Sequence, residues 1–319
     1  MSTTPDDVEG GVKRGAVWGL LKTLRPHQWI KNLFVLAPLF FSKSFMEPRL
    51  LGLGLLAALI FSLTAGTVYL INDIFDLEKD RRHPVKKNRP LPAGVITVRM
   101  AAIAACVLGL GTQAAAWALD WRLGAVTSGY LGMNLAYSMS LKHVPFVDVS
   151  IIAAGFVLRV LAGAFAIDVF ISEWLIICTF LLSLYLGFGK RLHELELVAR
   201  GEATKVRKVL ERYSSGQLEF VVLFVAGMTI AGYTIYTMTA ALPDQPLRSE
   251  HTPFTSRYLP ATIPMAVFGI TRFYQLLRSD SQESPTELIL KDAPFIVNLL
   301  VWGAAMAVLG FYFSAPMGA

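Results

Sequence analysis

The chain has 319 residues, of which 54% are hydrophobic and only 16% are charged, a balance that excludes an ordinary soluble domain. Apolar stretches of roughly 20 residues, enough to cross a hydrocarbon core of about 30 Å, alternate with short charged loops. We therefore expect an all-α polytopic membrane protein and not an outer-membrane barrel, whose strands would alternate over about 10 residues. The chain has a net charge of +6, and in a polytopic membrane protein basic residues usually lie in cytoplasmic loops that meet anionic lipid headgroups. We therefore expect no nucleic-acid partner.

Hydropathy predicts a polar cytoplasmic segment over 1–28 and then nine membrane-spanning helices. The predicted spans cover 30–46, 50–72, 97–118, 122–141, 149–167, 171–189, 216–241, 258–277 and 293–313. The span boundaries are soft by several residues, and basic residues near a span end are assigned to the adjoining loop. If the N-terminus is cytoplasmic, most of the 29 Lys and Arg residues then fall on the cytoplasmic side, and Arg159 alone is assigned to the interior of a span. This asymmetry predicts an N-terminus inside and a C-terminus outside. Two cytoplasmic loops, 73–96 and 190–213, carry much more charge than the others.

The first charged loop continues the second span through the sequence NDIFDLEKD, residues 72–80. On a helix Asp73, Asp76 and Asp80 share one face, with Asn72 one turn from Asp76. Three like charges on one stripe repel each other unless a cation neutralises them, and oxygen ligands favour Mg²⁺, with Mn²⁺ as an alternative, completed by substrate phosphates. The other interpretation is a solvated acidic helix end. The metal–phosphate interpretation is favoured by the basic residues that follow at once: Arg81, Arg82, Lys86, Lys87 and Arg89.

Residues 72–80 match the NDxxDxxxD motif of the UbiA superfamily of intramembrane prenyltransferases, which the chain also resembles in helix number and topology. Within that superfamily the chain is similar to the branch of decaprenyl-phosphate phosphoribosyltransferases. The stretches that carry this similarity are 25–32, 80–90, 141–143, Arg159 with Ala162-Gly163, and 189–191 with Glu194-Leu195.

The resemblance implies a single domain over 29–313, with nine helices around a central cavity, in the cytoplasmic (inner) membrane with its active site facing the cytoplasm. It implies Mg²⁺-dependent transfer of 5-phosphoribose from phosphoribosyl diphosphate to a decaprenyl-type polyprenyl phosphate, with release of diphosphate. Asp73, Asp76 and Asp80 would be the catalytic, metal-binding residues. Substrate contacts would come from Lys31, Asn72, Arg81, Lys86, Arg89, Tyr137, Lys142, Arg159, Lys190 and Glu194.

The second charged loop departs from the usual superfamily pattern. Where prenyltransferases usually carry a second acidic motif, DxxxD, this chain has KRLHE over 190–194. The 5-phosphate of phosphoribosyl diphosphate favours direct Lys and Arg contacts, so we expect Lys190 and Glu194, one turn apart, to face the donor. Arg191 points about 100° away on a helix and is expected to touch only headgroups. The alternative is that the whole cluster is ordinary positive-inside charge.

Arg159 is predicted about 16 Å into the fifth span, near mid-membrane, where a charge is costly unless it pairs inside the bundle. Gly155 and Gly163 flank it at a spacing of four, which favours close approach of another helix or of a ligand. Arg159 could therefore hold a substrate phosphate, or it could pair with a carbonyl or an acidic side chain of a neighbouring helix. Tyr137 is similarly open, since it could belong to an interfacial aromatic belt.

Two competing functions stay open at this stage. An ordinary prenyltransferase, attaching a polyprenyl group to an aromatic acceptor, would need two acidic motifs, and Lys190 argues against it. A lipid or ion transporter would use the same charges as a binding gate. Membrane lipids surround any of these proteins, and a homo-oligomer is compatible with the sequence.

Overall fold

The computed structural model describes residues 15–201, 209–241, 256–279 and 285–313, apart from the side chains of residues 286 and 287. Parts of two predictions lie outside the described residues, namely 1–14 of the polar N-terminal segment and 202–208 of the second charged loop. Every regular element in the described ranges is a helix, as the composition predicts.

Eight helices of 15 residues or more lie in the described ranges. They are α1 Pro48–Phe75, α2 Val98–Leu119, α3 Trp121–Met139, α4 Val147–Ala166, α5 Glu173–Ala199, α6 Ser215–Ala241, α7 Ile263–Leu277 and α8 Ala293–Tyr312. Short α-helices cover Ala37–Phe41, Leu77–Arg81 and Pro285–Lys291, and residues 15–23 are also helical. Short 3-10 helices cover Pro26–Leu36, Ser44–Met46, Lys86–Asn88, Leu141–His143, Leu210–Arg212 and Leu259–Thr262.

Six of these helices, α1, α2, α4, α5, α6 and α8, are long and apolar enough to cross a membrane. They correspond to six of the nine predicted spans. Helix α7 has 15 residues, fewer than the roughly 20 that a span needs, and α3 has 19 residues that include the polar Arg122 and Asn134. The described residues therefore support six spans by length and composition, and the count of nine is not reproduced.

The first predicted span, 30–46, is not one α-helix. A 3-10 helix over Pro26–Leu36 is followed by the short helix Ala37–Phe41, and Lys43 adopts a left-handed backbone conformation before Ser44–Met46. Pro38 cannot donate a backbone hydrogen bond, so a continuous ladder through this region is interrupted. The span predicted over 30–46 is therefore not a single helix, and its side chains range from the buried Val35 to the exposed Met46.

The chain divides into two compact units. The first consists of the described residues up to Ala37, together with Gly52–Met139 and Leu158–Asp168. In this unit α2 packs against α3, and a core of small and aromatic side chains includes Ala57, Phe61, Ala116, Tyr130 and Ala162. Small residues allow helix backbones to approach closely where lipid gives no hydrophobic driving force.

The second unit consists of Pro38–Leu51, Ser140–Val157 and the described residues from Val169 onwards. Here α5 packs against α6, and α7 contacts both α6 and α8. Its largest core cluster is built from aromatic and aliphatic side chains that include Tyr185, Phe188, Leu218, Phe273 and Leu277. Both units expose many large apolar side chains, as expected for helices that face lipid.

Candidate active site

The acidic motif lies where α1 ends. Helix α1 stops at Phe75, and Asp76 occupies the N-cap position of the short helix Leu77–Arg81 without a capping hydrogen bond from its side chain. The backbone N–H of Asp76 still donates to Asn72 O at 2.9 Å, and that of Asp80 donates to Asp76 O at 2.8 Å. The chain therefore keeps a helical hydrogen-bond pattern across the break, and Asp73 and Asp80 stay on the same side as their spacing of seven predicts.

Asp73 and Asp80 form a buried carboxylate pair held by basic side chains. The two residues are only 2% and 1% exposed. Arg89 Nη1 joins them, because it donates to Asp80 Oδ2 at 2.6 Å and to Asp73 Oδ1 at 3.2 Å. Arg25 Nη2 donates to Asp73 Oδ1 at 2.6 Å, and Lys86 Nζ lies 3.8 Å from Asp80 Oδ1. Burying a carboxylate costs several kcal/mol unless it is paired, so these contacts explain how the pair can be buried.

Arg25 belongs to this site although the candidate set did not include it. Its backbone is left-handed, with φ 52°, and it directly precedes Pro26 at the start of the 3-10 helix. The guanidinium lies over the ring of Tyr69 at 4.7 Å from the centroid. Tyr69 in turn donates its hydroxyl to Gln28 Oε1 at 3.0 Å, which ties this segment to α1. The signal in the sequence that could have indicated Arg25 is its position just before the first apolar stretch, with a charge opposite to that of the acidic motif.

The donor set of the motif suits a hard divalent cation, but its arrangement is that of an ion-paired site. Carboxylates and the side-chain oxygen of Asn72, which accepts from Ser138 Oγ, are ligands that Mg²⁺ prefers. Within the described residues, however, no group of three Asp, Glu, His or Cys side chains is placed to hold a metal. Of the expected stripe, Asp73 and Asp80 are joined by Arg89, and Asp76 lies between them in sequence at the N-cap position of the short helix.

Three other predicted residues of this unit are Arg81, Lys31 and Tyr137. Arg81 Nη1 bonds Glu78 Oε1 at 2.9 Å on the exposed side of the short helix. Lys31 is exposed and donates to Gln28 Oε1 at 3.3 Å. Tyr137 is half-buried near the end of α3.

Arg159 is buried, as predicted, and is held by polar and aromatic side chains. It is 6% exposed, and its Nε donates to Asn32 Oδ1 at 2.8 Å while Nη2 donates to the Tyr130 hydroxyl at 3.1 Å. The rings of Phe61 and Tyr130 each lie 5.1 Å from the guanidinium carbon. Asn32 is fixed in turn by donating to Ser62 Oγ at 2.8 Å. These contacts support the structural interpretation, with a side-chain carbonyl as the partner.

Gly163 confirms the close approach expected around Arg159. A Cβ at this position would lie 1.7 Å from the carbonyl oxygen of Val35 and 2.7 Å from its carbonyl carbon. Val35 belongs to the 3-10 helix Pro26–Leu36, which is called the first segment below. Its backbone therefore packs directly on α4 one turn after Arg159, in a space that only glycine leaves open.

In the second unit, the start of the second charged loop is helical, because α5 continues to Ala199. Arg191 is 2% exposed, and its Nε donates to Asp148 Oδ2 at 2.8 Å. The prediction that Arg191 touches headgroups is therefore wrong. Its partner Asp148 is fully buried in the first turn of α4 and also accepts from the Tyr213 hydroxyl at 3.0 Å. Burial raises the pKa of Tyr213 to about 12, so this tyrosine stays a neutral donor.

Lys190 and Glu194 lie one turn apart on α5, and both are half-buried. Glu194 Oε2 accepts from Arg191 Nη1 at 3.1 Å, so its carboxylate is part of the Asp148–Arg191 network. Lys142 is half-buried in the 3-10 helix Leu141–His143. The described residues of this unit thus place basic side chains at the second motif, with its remaining acidic group paired to arginine.

Comparison with known proteins identifies close relatives along the whole chain. It is 34% identical over 308 residues to a protein of Mycolicibacterium smegmatis named decaprenyl-phosphate phosphoribosyltransferase, with 95% of this chain and 96% of the relative covered. A protein of the same name from Corynebacterium glutamicum is 31% identical, with 89% and 84% covered. Among solved structures, a UbiA homolog from Archaeoglobus fulgidus bound to GPP and Mg²⁺ has a TM-score of 0.65 at 18% identity, covering 91% of this chain and 99% of the homolog.

Because the identity to the archaeal structure is only 18%, this likeness establishes the fold alone. The sequence also matches the UbiA prenyltransferase family over residues 33–299, which includes both the carboxylate pair and the Asp148–Arg191 network. The motif at the end of α1, the apolar helices and the family match agree: this chain is a multi-pass membrane protein and belongs to the UbiA prenyltransferase family.

Proposed function

We propose that this protein is a phosphoribosyltransferase that moves 5-phosphoribose from phosphoribosyl diphosphate to a decaprenyl-type polyprenyl phosphate and releases diphosphate. The names of its relatives over nearly the whole chain support this activity. The observation that carries the proposal is the carboxylate pair Asp73 and Asp80, which is surrounded by Arg25, Lys86 and Arg89 at one helix end. Oxygen ligands for a metal and cations for phosphate are what a diphosphate donor requires.

Asp73, Asp76 and Asp80 would hold Mg²⁺, or Mn²⁺ in its place, which when bound acts as a Lewis acid on the departing diphosphate. Arg25 and Arg89 would bind the diphosphate oxygens and stabilise the negative charge that grows as the bond from ribose C1 to diphosphate breaks. The acceptor phosphate is already an anion, so its oxygen can form the new bond to C1 without a general base.

Other basic side chains would position the substrates. We assign Lys190 to the 5-phosphate of the donor, because a lysine stands where the family usually has an acidic metal ligand. Lys31 and Lys142 would contact substrate phosphates. Tyr137 would contribute to the acceptor pocket. For Arg159 we infer a role in holding the first segment on α4, supported by its bond to Asn32 and by the close approach at Gly163, with any substrate contact secondary.

The test is a turnover assay with purified protein, labelled phosphoribosyl diphosphate and decaprenyl phosphate, following diphosphate release and the lipid product. We expect activity to require Mg²⁺ or Mn²⁺ and to be lost in Asp73→Asn. Glu78→Gln is the matched control, since Glu78 is an exposed carboxylate of the same region that pairs only weakly with Arg81. Full activity in EDTA, or in a folded Asp73→Asn protein, would contradict the proposal.

The alternative is a prenyltransferase that attaches a polyprenyl group from its diphosphate to an aromatic or other acceptor. The family match and the intact NDxxDxxxD motif favour it. It is tested in the same assay with a polyprenyl diphosphate and an aromatic acceptor in place of the two proposed substrates. Transfer with these, and none with phosphoribosyl diphosphate, would replace the first proposal by the second.

We further propose a single domain over 29–313 in the inner membrane, with the N-terminus and the active site on the cytoplasmic side. In a variant without Cys106 and Cys178, we place a single cysteine at Ala93, which is exposed in the first charged loop. An impermeant thiol reagent should label it only after lysis, whereas a cysteine at exposed Glu47 should react in intact cells. Labelling of position 93 in intact cells would show that the orientation is opposite to the one proposed. Ala203, a second position of this kind, lies outside the described residues.

A further inference from the structure

We propose that Arg25 and Arg89 compete with the divalent metal for Asp73 and Asp80, so that the metal enters only together with a diphosphate, to whose oxygens both guanidiniums transfer. This inference rests on the proposed function, because that function supplies the metal and the diphosphate. The site would exclude a divalent metal ion alone and would bind it only together with a diphosphate.

The first support is that the arginines use the same oxygens that a metal would need. Asp73 Oδ1 accepts from both Arg25, at 2.6 Å, and Arg89, at 3.2 Å. Asp80 Oδ2 accepts from Arg89 at 2.6 Å, and Asp80 Oδ1 lies 3.8 Å from Lys86 Nζ. Mg²⁺ binds oxygens at about 2.0–2.1 Å in near-octahedral geometry, which leaves no room for a guanidinium joining the same two carboxylates.

The second support is the order of burial. The side chains of Asp73 and Asp80 are 3% and 1% exposed, whereas those of Arg25 and Arg89 are 19% and 31% exposed. The cations therefore cover the carboxylates on their accessible side. A solute that arrives from water meets the guanidiniums first, so an anion is attracted and a bare cation is repelled.

The third support is the charge balance. The three carboxylates proposed to hold the metal, Asp73, Asp76 and Asp80, carry three negative charges, and Arg25, Arg89 and Lys86 bring three positive ones. A divalent cation alone would create an excess of positive charge at buried carboxylates, which is costly. A metal accompanied by a diphosphate brings several negative charges, and arginine forms strong bidentate contacts with phosphate oxygens. Both arginines then exchange one anionic partner for another, and no buried charge is left unpaired.

Arg25 can make this exchange without unfolding the segment that carries it. Its guanidinium also stacks on Tyr69 at 4.7 Å, a contact that does not depend on Asp73. Arg89 follows the 3-10 helix Lys86–Asn88 and precedes Pro90, so its backbone position is set independently of the carboxylates.

The experiment measures Mn²⁺ binding to the purified full-length protein, by electron paramagnetic resonance of free Mn²⁺, with and without phosphoribosyl diphosphate. Wild type should bind Mn²⁺ alone weakly and about tenfold or more tightly once phosphoribosyl diphosphate is present. Arg89→Gln should bind Mn²⁺ alone about tenfold more tightly than wild type, because a competing cation is gone, and should lose about tenfold in affinity for phosphoribosyl diphosphate. Arg25→Gln removes one of the two arginines on Asp73 and leaves Arg89 on both carboxylates, so it should show the same changes to a smaller extent.

Arg99→Gln is the matched control, because Arg99 is an exposed arginine in the first turn of α2, and it should leave both affinities unchanged. Unchanged or weaker binding of Mn²⁺ alone to Arg89→Gln and Arg25→Gln would overturn the competition. The arm with Mn²⁺ alone needs no donor, so it judges this inference separately. Failure of wild type to bind phosphoribosyl diphosphate with Mn²⁺ would instead refute the proposed function.

Discussion

Gly163→Ala tests how the first segment is held on α4. The added Cβ would lie 1.7 Å from the carbonyl oxygen of Val35, whereas ordinary contacts begin at 3.4 Å. The Val35 backbone would have to move away by about 1.7 Å, the difference between these two distances, because a backbone carbonyl cannot rotate away as a flexible side chain can. Asn32 lies one turn before Val35 and would move with it. Its 2.8 Å hydrogen bond from Arg159 Nε would then be lost.

The expected cost combines two effects. Overpacking of a tightly packed site costs about 1–3 kcal/mol. Loss of a hydrogen bond to a charged group costs about 1.5–3 kcal/mol, and Arg159 is buried where water cannot replace Asn32. Together these give a loss of about 2.5–6 kcal/mol in the free energy of unfolding. At about 2 °C per kcal/mol, the low end for a large domain, the unfolding temperature should fall by about 5 °C or more.

The assay is thermal unfolding of the purified protein in one detergent, followed by tryptophan fluorescence. Gly129→Ala and Gly132→Ala are matched controls on α3, where a Cβ would meet no atom within 4 Å. They should leave the unfolding temperature unchanged or raise it slightly, because alanine favours a helix. An unfolding temperature of Gly163→Ala equal to that of the two controls would refute the close packing inferred here.

Two further predictions concern the second unit. Asp148→Asn should lower the free energy of unfolding by about 3–5 kcal/mol in the same assay, because Arg191 loses its buried counter-charge. The double variant with Arg191→Met should lose less than the sum of the two single changes. Strict additivity would contradict the ion pair. Lys190→Asp should raise the concentration of phosphoribosyl diphosphate needed for half-saturation by one to two decades, as expected for a lost contact of about 1.5–3 kcal/mol, with little change for the acceptor. Arg200→Asp is the control at the exposed end of α5, about 15 Å further along the helix, since Lys205 lies outside the described residues. Equal small effects at 190 and 200 would mean that Lys190 is only positive-inside charge.

Local patterns predicted much of the candidate site. Asp73 and Asp80 are seven residues apart, and helical periodicity brought them to one side even though α1 ends between them. The single charge within an apolar stretch, Arg159, is buried as predicted, and the glycine one turn later meets a backbone. Each of these inferences depends only on hydropathy or on helix geometry, which are properties of neighbouring residues.

Partners distant in sequence could not be predicted in the same way. Arg25 and Asp73 are 48 residues apart, and Asp148 and Arg191 are 43 apart. Nothing local distinguishes a basic residue that contacts headgroups from one that turns inward to a buried carboxylate, and so Arg191 was misplaced. For the same reason the sequence did not reveal that Arg89 lies between Asp73 and Asp80, where a metal was expected to neutralise the charge.

The sequence by itself determined that this is an all-helical membrane protein and where most of its apolar helices begin and end, and it pointed to the acidic motif of the candidate site. These depend on the cost of placing polar groups in hydrocarbon and on a fixed helical repeat, both of which act over short stretches of chain. Only the tertiary structure decided that the first apolar stretch is a broken segment seated on Gly163, and that Asp73 and Asp80 are covered by arginines. Those outcomes depend on which buried charge finds which counter-charge, and that choice is made by the packing of segments far apart in the chain.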